Sequence, residues 1–137
     1  MDFQGGIMSR LLADPTVSGL VGTRISWMDR PQEDQLPAIS LQVISDPRPT
    51  HLKGFDGARY TLIQCDCWAE RHETTVAMGR AVIAALKNPA TIDGKKFGNA
   101  LVEGQRDLGE EPGSANDRFD IFLHRQSVDL RIWHAGD

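Results

Sequence analysis

Two segments with different periods lie almost back to back in this sequence. Together they settle most of what the chain can build. From Arg59 to Ala69 the side chains alternate: Ile63, Cys65, Cys67 and Ala69 fall on one side, and Tyr60, Leu62 and Trp68 on the other. That is the period of a β-strand, whose successive side chains point to opposite faces. From Glu73 to Lys87 the period changes to that of a helix. Ala77, Met78, Ala81, Val82, Ala85 and Leu86 form a broad apolar stripe, and Asn88-Pro89 ends it. The small alanines allow close packing on a sheet. A strand with one apolar face, followed at once by a helix with one apolar stripe, points to a sheet covered by a helix.

The remaining elements fit around this pair. Phe3, Ile7 and Leu11, widened by Met8 and Leu12, predict an N-terminal helix capped by Asp2, which Gly5 and Gly6 weaken. Asp14-Pro15 starts a second, short helix, and Gly22 suits its left-handed stop. Arg24–Trp27 is a short strand candidate, and Met28–Pro37 a polar loop. Ala38–Ser45 alternates with Ile39, Leu41 and Val43 on one face. Asp46–Gly57 is a long loop with two prolines and two glycines, and long loops in compact domains often bind or assemble. Ile92–Arg106 reads as a hairpin turning at Asp93-Gly94, or as one strand after a turn, and Asp107–Asn116 reads as a loop. Arg118–His134 is a long strand region in which Val128, Leu130 and Ile132 share a face, with a bulge or bend expected near Arg125-Gln126. The resulting fold class is α+β: a mostly antiparallel β-sheet with the major helix on one face and a short N-terminal helix.

Size and charge narrow the function. A chain of 137 residues suits one domain with its own core. No apolar run approaches the ~20 residues that span a bilayer, and no signal peptide is evident. The formal net charge is −4, against a dedicated nucleic-acid binder. The excess is localised: Glu103–Asp120 holds six acids and two bases, whereas the rest of the chain balances at thirteen of each. This segment is a solvated loop or a negative patch that repels polyanions or meets a basic partner.

The motifs of common chemistries are missing. Cys65-x-Cys67 would put two thiols on one strand face, but a structural zinc needs about four ligands. Two buried thiols acting as small hydrophobes fit better. His72-Glu73-x-x-Val76 lacks the second histidine of a helical zinc-protease motif. Gly94-Lys95-Lys96 lacks the other parts of a phosphate loop, and there is no Gly-x-Ser-x-Gly elbow. His51, His72, His124 and His134 lie in separate segments, and Trp27, Trp68 and Trp133 fall on or beside strands, as packing residues do. No cofactor or metal is expected. A small metal-dependent hydrolase stays as a remote rival, and a generic adaptor working as a monomer or dimer as another.

A family resemblance then emerges. Leu11-Leu12-Ala13-Asp14-Pro15, Val17, Leu20-Val21-Gly22 and Arg24-Ile25 resemble the opening of the tail completion, or tail terminator, proteins of long-tailed phages. Leu36-Pro37-Ala38-Ile39, then Asp66-Cys67-Trp68-Ala69 with its alanine-rich helix, then Val128-Asp129-Leu130-Arg131-Ile132-Trp133-His134 follow in the family's order. Similar proteins occur in gene transfer agents and prophage remnants. The resemblance implies a single tail-terminator-like domain over residues 1–137 and a structural virion protein rather than an enzyme. It implies a homo-hexameric ring at the head-proximal end of the tail tube, touching the tail tube protein and the head-tail connector, with DNA passing through the centre and no membrane. A head-side stopper or adaptor of the same assembly is the nearest alternative.

A ring needs two different complementary surfaces on each subunit. The candidates for contact with a neighbour or ring partner are Arg48, His51, Lys53, Phe55, Arg59 and Arg125. Glu110, Glu111 and Asp117 are candidates to face the channel, where acids would repel DNA phosphates.

Overall fold

The computed structural model describes residues 1–29, 36–47, 50–51, 54–55, 58–112 and 122–136; at 50, 51, 54, 55, 109–112 and 122 only the backbone is described. The elements follow the order α1 (Phe3–Ala13), α2 (Pro15–Val21), β1 (Ile25–Trp27), β2 (Ala38–Ser45), β3 (Thr50–His51), β4 (Gly54–Phe55), β5 (Ala58–Ala69), α3 (His72–Leu86), β6 (Ala90–Ile92), β7 (Lys95–Pro112) and β8 (Phe122–Ala135). Six strands form one sheet in the order β1-β2-β5-β8-β7-β6, and β3 pairs with β4. Every pairing is antiparallel except β1 with β2. The fold is the expected α+β arrangement.

The caps predicted from sequence are in place. Asp2 Oδ1 accepts from the Gly5 N–H at 2.8 Å, and Asp14 Oδ1 accepts from Thr16 and Val17 at 3.0 Å each. Gly22 closes α2 at φ 59°, a conformation that favours glycine. Asp93 and Gly94 both take positive φ, at 47° and 81°, which is the geometry a two-residue hairpin turn needs. That turn joins β6 to β7, so the hairpin alternative was the right one.

One face of the sheet is the core. Ile39 and Leu41 from β2, Ile63, Cys65, Cys67 and Ala69 from β5, and Val128, Leu130 and Ile132 from β8 are all buried there. Helix α3 lies on β5 and β8, with Met78, Ala81, Val82 and Leu86 turned inward. Helices α1 and α2 pack beside it, contributing Phe3, Ile7, Leu11, Val17 and Val21. Arg10 fastens α1 to α3: its Nη2 donates to the carbonyls of Asn88 at 2.7 Å and Ala85 at 3.2 Å. These carbonyls lie at the end of α3, where a cation offsets the helix dipole. The guanidinium also stacks 5.1 Å from the Phe97 ring centroid.

Several sequence expectations need correcting. Asp107–Asn116 is not wholly a loop, because β7 continues to Pro112. Of the long terminal strand, Phe122–Ala135 is seen, and residues 118–121 lie outside the described residues. The irregularity expected near Arg125-Gln126 exists, but β7 carries the extra residue: Asp107 pairs with Gln126 and Glu110 with His124. The run Asp46–Gly57 contains the β3–β4 pair. Leu12 and Ala77, assigned to apolar stripes, are exposed. The expected penalty at Gly6 has a packing reason, since a Cβ there would lie 2.3 Å from Phe97 Cζ.

Candidate functional site

The second face of the sheet has no helix over it among the described residues, and it is not the plain solvated face of a half-buried strand. The alternation that sends Cys65 and Cys67 into the core sends Tyr60, Leu62, Gln64, Asp66 and Trp68 the other way. The matching residues of β8 are Arg125, Ser127, Asp129, Arg131 and Trp133. Aromatic and guanidinium groups are interleaved with acids along this face.

Its middle is closed by its own side chains. Asp66 accepts from Gln64 Nε2 at 3.0 and 3.2 Å and from the Ser127 hydroxyl, and Arg125 Nη1 lies 4.0 Å from it. Trp68 is buried, its indole N–H donating to Ser40 Oγ at 2.9 Å, and the Arg125 guanidinium covers its ring at 5.0 Å. Ser40, Asp66, Trp68 and Arg125, with Met28, Leu41 and Gln42, line a cleft of about 220 Å³. Toward β7, Arg106 Nη1 bonds Asp129 Oδ2 at 2.6 Å. Arg131 Nε lies 2.9 Å from Glu103 Oε1, and its guanidinium stacks 4.8 Å from the Tyr60 centroid. Tyr60 in turn meets Trp133 edge-on at 5.1 Å.

Two further polar clusters bound the core. At the end of β8, Thr61 Oγ1 lies 2.7 Å from His134 Nε2 and 3.2 Å from Asp46 Oδ1, which also accepts from Arg59 Nε at 2.9 Å. Burial, then the charges of Lys95 and Arg59, pull the His134 pKa down to about 4, so the imidazole is neutral at pH 7. At the start of α3, His72 Nε2 lies 2.9 Å from Asp107 Oδ1, which also accepts from Gln126. The hydrogen bonds from His72 and then Gln126 hold the Asp107 carboxyl below its ordinary pKa. Burial pushes the Cys67 thiol up to about 12 and raises Cys65 well above its ordinary value, so both stay protonated and unreactive. Among the described residues, no group of three or more His, Cys, Asp or Glu could hold a metal ion. No described helix is long and apolar enough to cross a membrane.

The predicted contact residues scatter. Arg48, Lys53 and Asp117 lie outside the described residues. For His51, Phe55, Glu110 and Glu111 the backbone alone is described: His51 faces Gly54, Phe55 faces Thr50, Glu110 faces His124 and Glu111 faces Leu123. Arg59 is buried inside the subunit against Asp46. Arg125 does lie on the open face. Sequence reasoning missed Leu101, Arg131 and Trp133 as surface candidates and placed Tyr60 no further than the second face of its strand. The available signal was that β5 and β8 carry the large aromatic residues Tyr60, Trp68 and Trp133 on the face turned away from the core.

No curated protein matches this chain. Among solved structures, a chain of a native gene transfer agent virion particle shares its fold, with a TM-score of 0.67 and 16% identity over 98% of this chain and 95% of that one. The profile of the family described as Tail completion protein gp17 matches residues 5–135, nearly the whole sequence, from the first turn of α1 to the end of β8. The chain belongs to the tail completion protein gp17 family.

Proposed function

We propose that this chain is a structural virion protein that forms a ring at the head-proximal end of the tail tube. There it stops tube polymerisation and joins the tail to the head connector, while DNA passes through the ring. The observation that carries this reading is the family match over residues 5–135. The fold shared end to end with a chain of a gene transfer agent virion supports it. The role calls for surfaces rather than a reaction: one toward the tail tube protein, one toward the connector, and two flanks toward neighbouring copies.

In this reading Glu110, Glu111 and Asp117 belong to the channel side, where like charge keeps DNA phosphates from sticking. Electron microscopy of the protein mixed with tail tubes is the test. Rings on tube ends and halted elongation are expected. Binding to isolated heads with bare tube ends would reassign the chain to the head-side connector. The Glu110→Gln, Glu111→Gln double variant is expected to form rings normally and to slow DNA passage; failure to form rings would move these residues from the channel to the assembly contact.

A further inference from the structure

His134, a buried titratable group near the end of β8, lies under the first turn of α1. Its imidazole stacks on the Phe3 ring, with centroids 4.3 Å apart and planes tilted by 34°, and lies 6.5 Å from the Phe97 ring. Beside that turn a cleft of about 220 Å³ separates Asp2, Phe3 and Gln4 from Val43, Asp46, Arg59 and Thr61.

The hydrogen bonds around the ring fix where its proton sits. The single hydroxyl proton of Thr61 goes to Asp46 Oδ1 at 3.2 Å, so the Thr61 oxygen accepts from His134 Nε2, 2.7 Å away. The neutral imidazole therefore carries its proton on Nε2. A second proton has to go on Nδ1, which is buried and has no hydrogen-bond partner among the described residues. Two cations face the ring. Arg59 comes from β5, its Nε donating to Asp46 at 2.9 Å, and Lys95 from β7, its Nζ donating to the Ala135 carbonyl at 2.6 Å. Asp46 and the Gly136 backbone favour the charged ring, but burial and the two cations outweigh them. From α1, Asp2 lines the cleft and the Arg10 guanidinium is turned to Phe97.

A charged ring in this place is relieved by whichever neighbour yields most easily. The sheet does not, because β8 is laddered to β5 on one side and β7 on the other. The first turn of α1 is held less firmly. It contains Gly5 and Gly6, both poor helix formers. Asp2 alone receives their N–H groups, Gly5 at Oδ1 and Gly6 at the carbonyl. Past that turn, buried Ile7 and Leu11 and the bonds of Arg10 to Ala85 and Asn88 anchor the rest of α1. The cleft gives water a path to the ring once Phe3 moves.

We infer that the first turn of α1 is an acid-released latch: when His134 takes a proton on Nδ1, Phe3 swings off the ring and Asp46, Arg59 and Thr61 open to solvent, while the sheet and the rest of α1 stay folded. The latch stands apart from the ring reading above. Hydrogen exchange of the whole chain, followed by NMR from about pH 7 to about pH 4 and corrected for intrinsic rates, tests it. Protection of the Gly5 and Gly6 amides is expected to fall with pH by up to roughly 300-fold, the factor set by a pKa of about 4 closed against 6.5 open. The opening is expected to be local, so low urea leaves it unchanged while exchange at Leu130 speeds up. Protection that does not change with pH means that Phe3 stays on the charged ring, held by the attraction of an aromatic face for a cation, and overturns the latch. A loss that follows urea as steeply as at Leu130 means unfolding of the whole domain and overturns it too. His134→Gln keeps a donor for Thr61 and takes no proton, so its Gly5 and Gly6 protection is expected to be flat with pH; the slope of the parent chain would overturn the latch. If that variant does not fold, Lys95→Met removes one of the two cations. It is expected to move the midpoint toward 6.5 and to shrink the loss, and an unchanged loss overturns the role of His134.

Discussion

Strand β8 pairs with β5 on one side and β7 on the other, and the two seams are built differently. Against β5 it runs twelve residues, from Ala58↔Ala135 to Ala69↔His124, without a register shift. Against β7 it shifts three times. The regular seam lies under α3, where Ile63, Cys65, Val128, Leu130 and Ile132 are all buried. A one-residue slip there would turn every one of these side chains to the wrong face, so the register is tightly specified. The irregular seam lies at the margin of α3, which meets polar residues of β7, His72 at Asp107 and Gly79 at Gln105. Val102, directly opposite Leu130, is exposed, and past it the core-side positions of β7 turn polar, with Gln105 and Asp107. Without apolar cover a bulge costs little, and it re-aims side chains outward. Regularity therefore follows burial, and the freedom to present a surface follows its loss.

The sharpest way to break this contrast is a matched pair of truncations. Leu130→Ala removes a fully buried side chain and is expected to lower unfolding stability by about 2–5 kcal/mol in urea denaturation. Equal losses at Leu130 and Leu101 would refute the distinction between the seams.

Acid probes the ends of the two seams separately. His134 sits near 4 in the folded chain against 6.5 when unfolded. Between those values the unfolded chain binds the extra proton, so stability falls as pH drops from about 6.5 to 4, by on the order of 2–3 kcal/mol. His134→Gln is expected to flatten the urea midpoint across that window. Asp107, on the irregular seam, acts lower: its depressed pKa adds stability above its ordinary value of 3.8 that is lost as pH falls further. A His134→Gln protein with an unchanged pH slope would show that the imidazole is not the titrating group.

The first residues of β7 still belong to the core, and Gly6 tests that. Gly6→Ala gains up to about 1 kcal/mol of helix propensity. Its new Cβ would lie 2.3 Å from Phe97 Cζ, inside a packed site, and overpacking costs about 1–3 kcal/mol. Net destabilisation is expected in thermal unfolding; a more stable variant would mean that Phe97 moves aside freely.

Leu101→Ala is expected to change stability by under about 0.5 kcal/mol, the usual range of a surface substitution. The same urea denaturation that follows Leu130→Ala checks it.

The same contrast governs what could be read from sequence. Val128, Leu130 and Ile132, and Ile63, Cys65 and Cys67, alternate cleanly because nothing interrupts their ladder, and the caps Asp2, Asp14 and Gly22 are local chemistry. Strand β7 was legible as far as Arg106. Each bulge then resets the phase of its alternation, and Gly109, Glu110, Glu111 and Pro112 resemble a loop by composition although β8 holds them extended. The contact candidates were chosen by charge, which favoured Arg59. Its charge is spent on Asp46, which lies thirteen positions earlier in the chain, just past the end of β2. Trp133 and Leu101 were missed because their neighbourhood forms only when β7, β8 and β5 lie side by side.

The ring of Phe3 lies 4.3 Å from that of His134. The first helix thus packs on a strand that the ribosome makes 131 residues later. At about 5–20 residues per second, roughly 7–26 s pass between the two. Throughout that interval Phe3 and Ile7 wait without their final neighbours, so synthesis hands the cell an unfinished surface until residue 134 emerges.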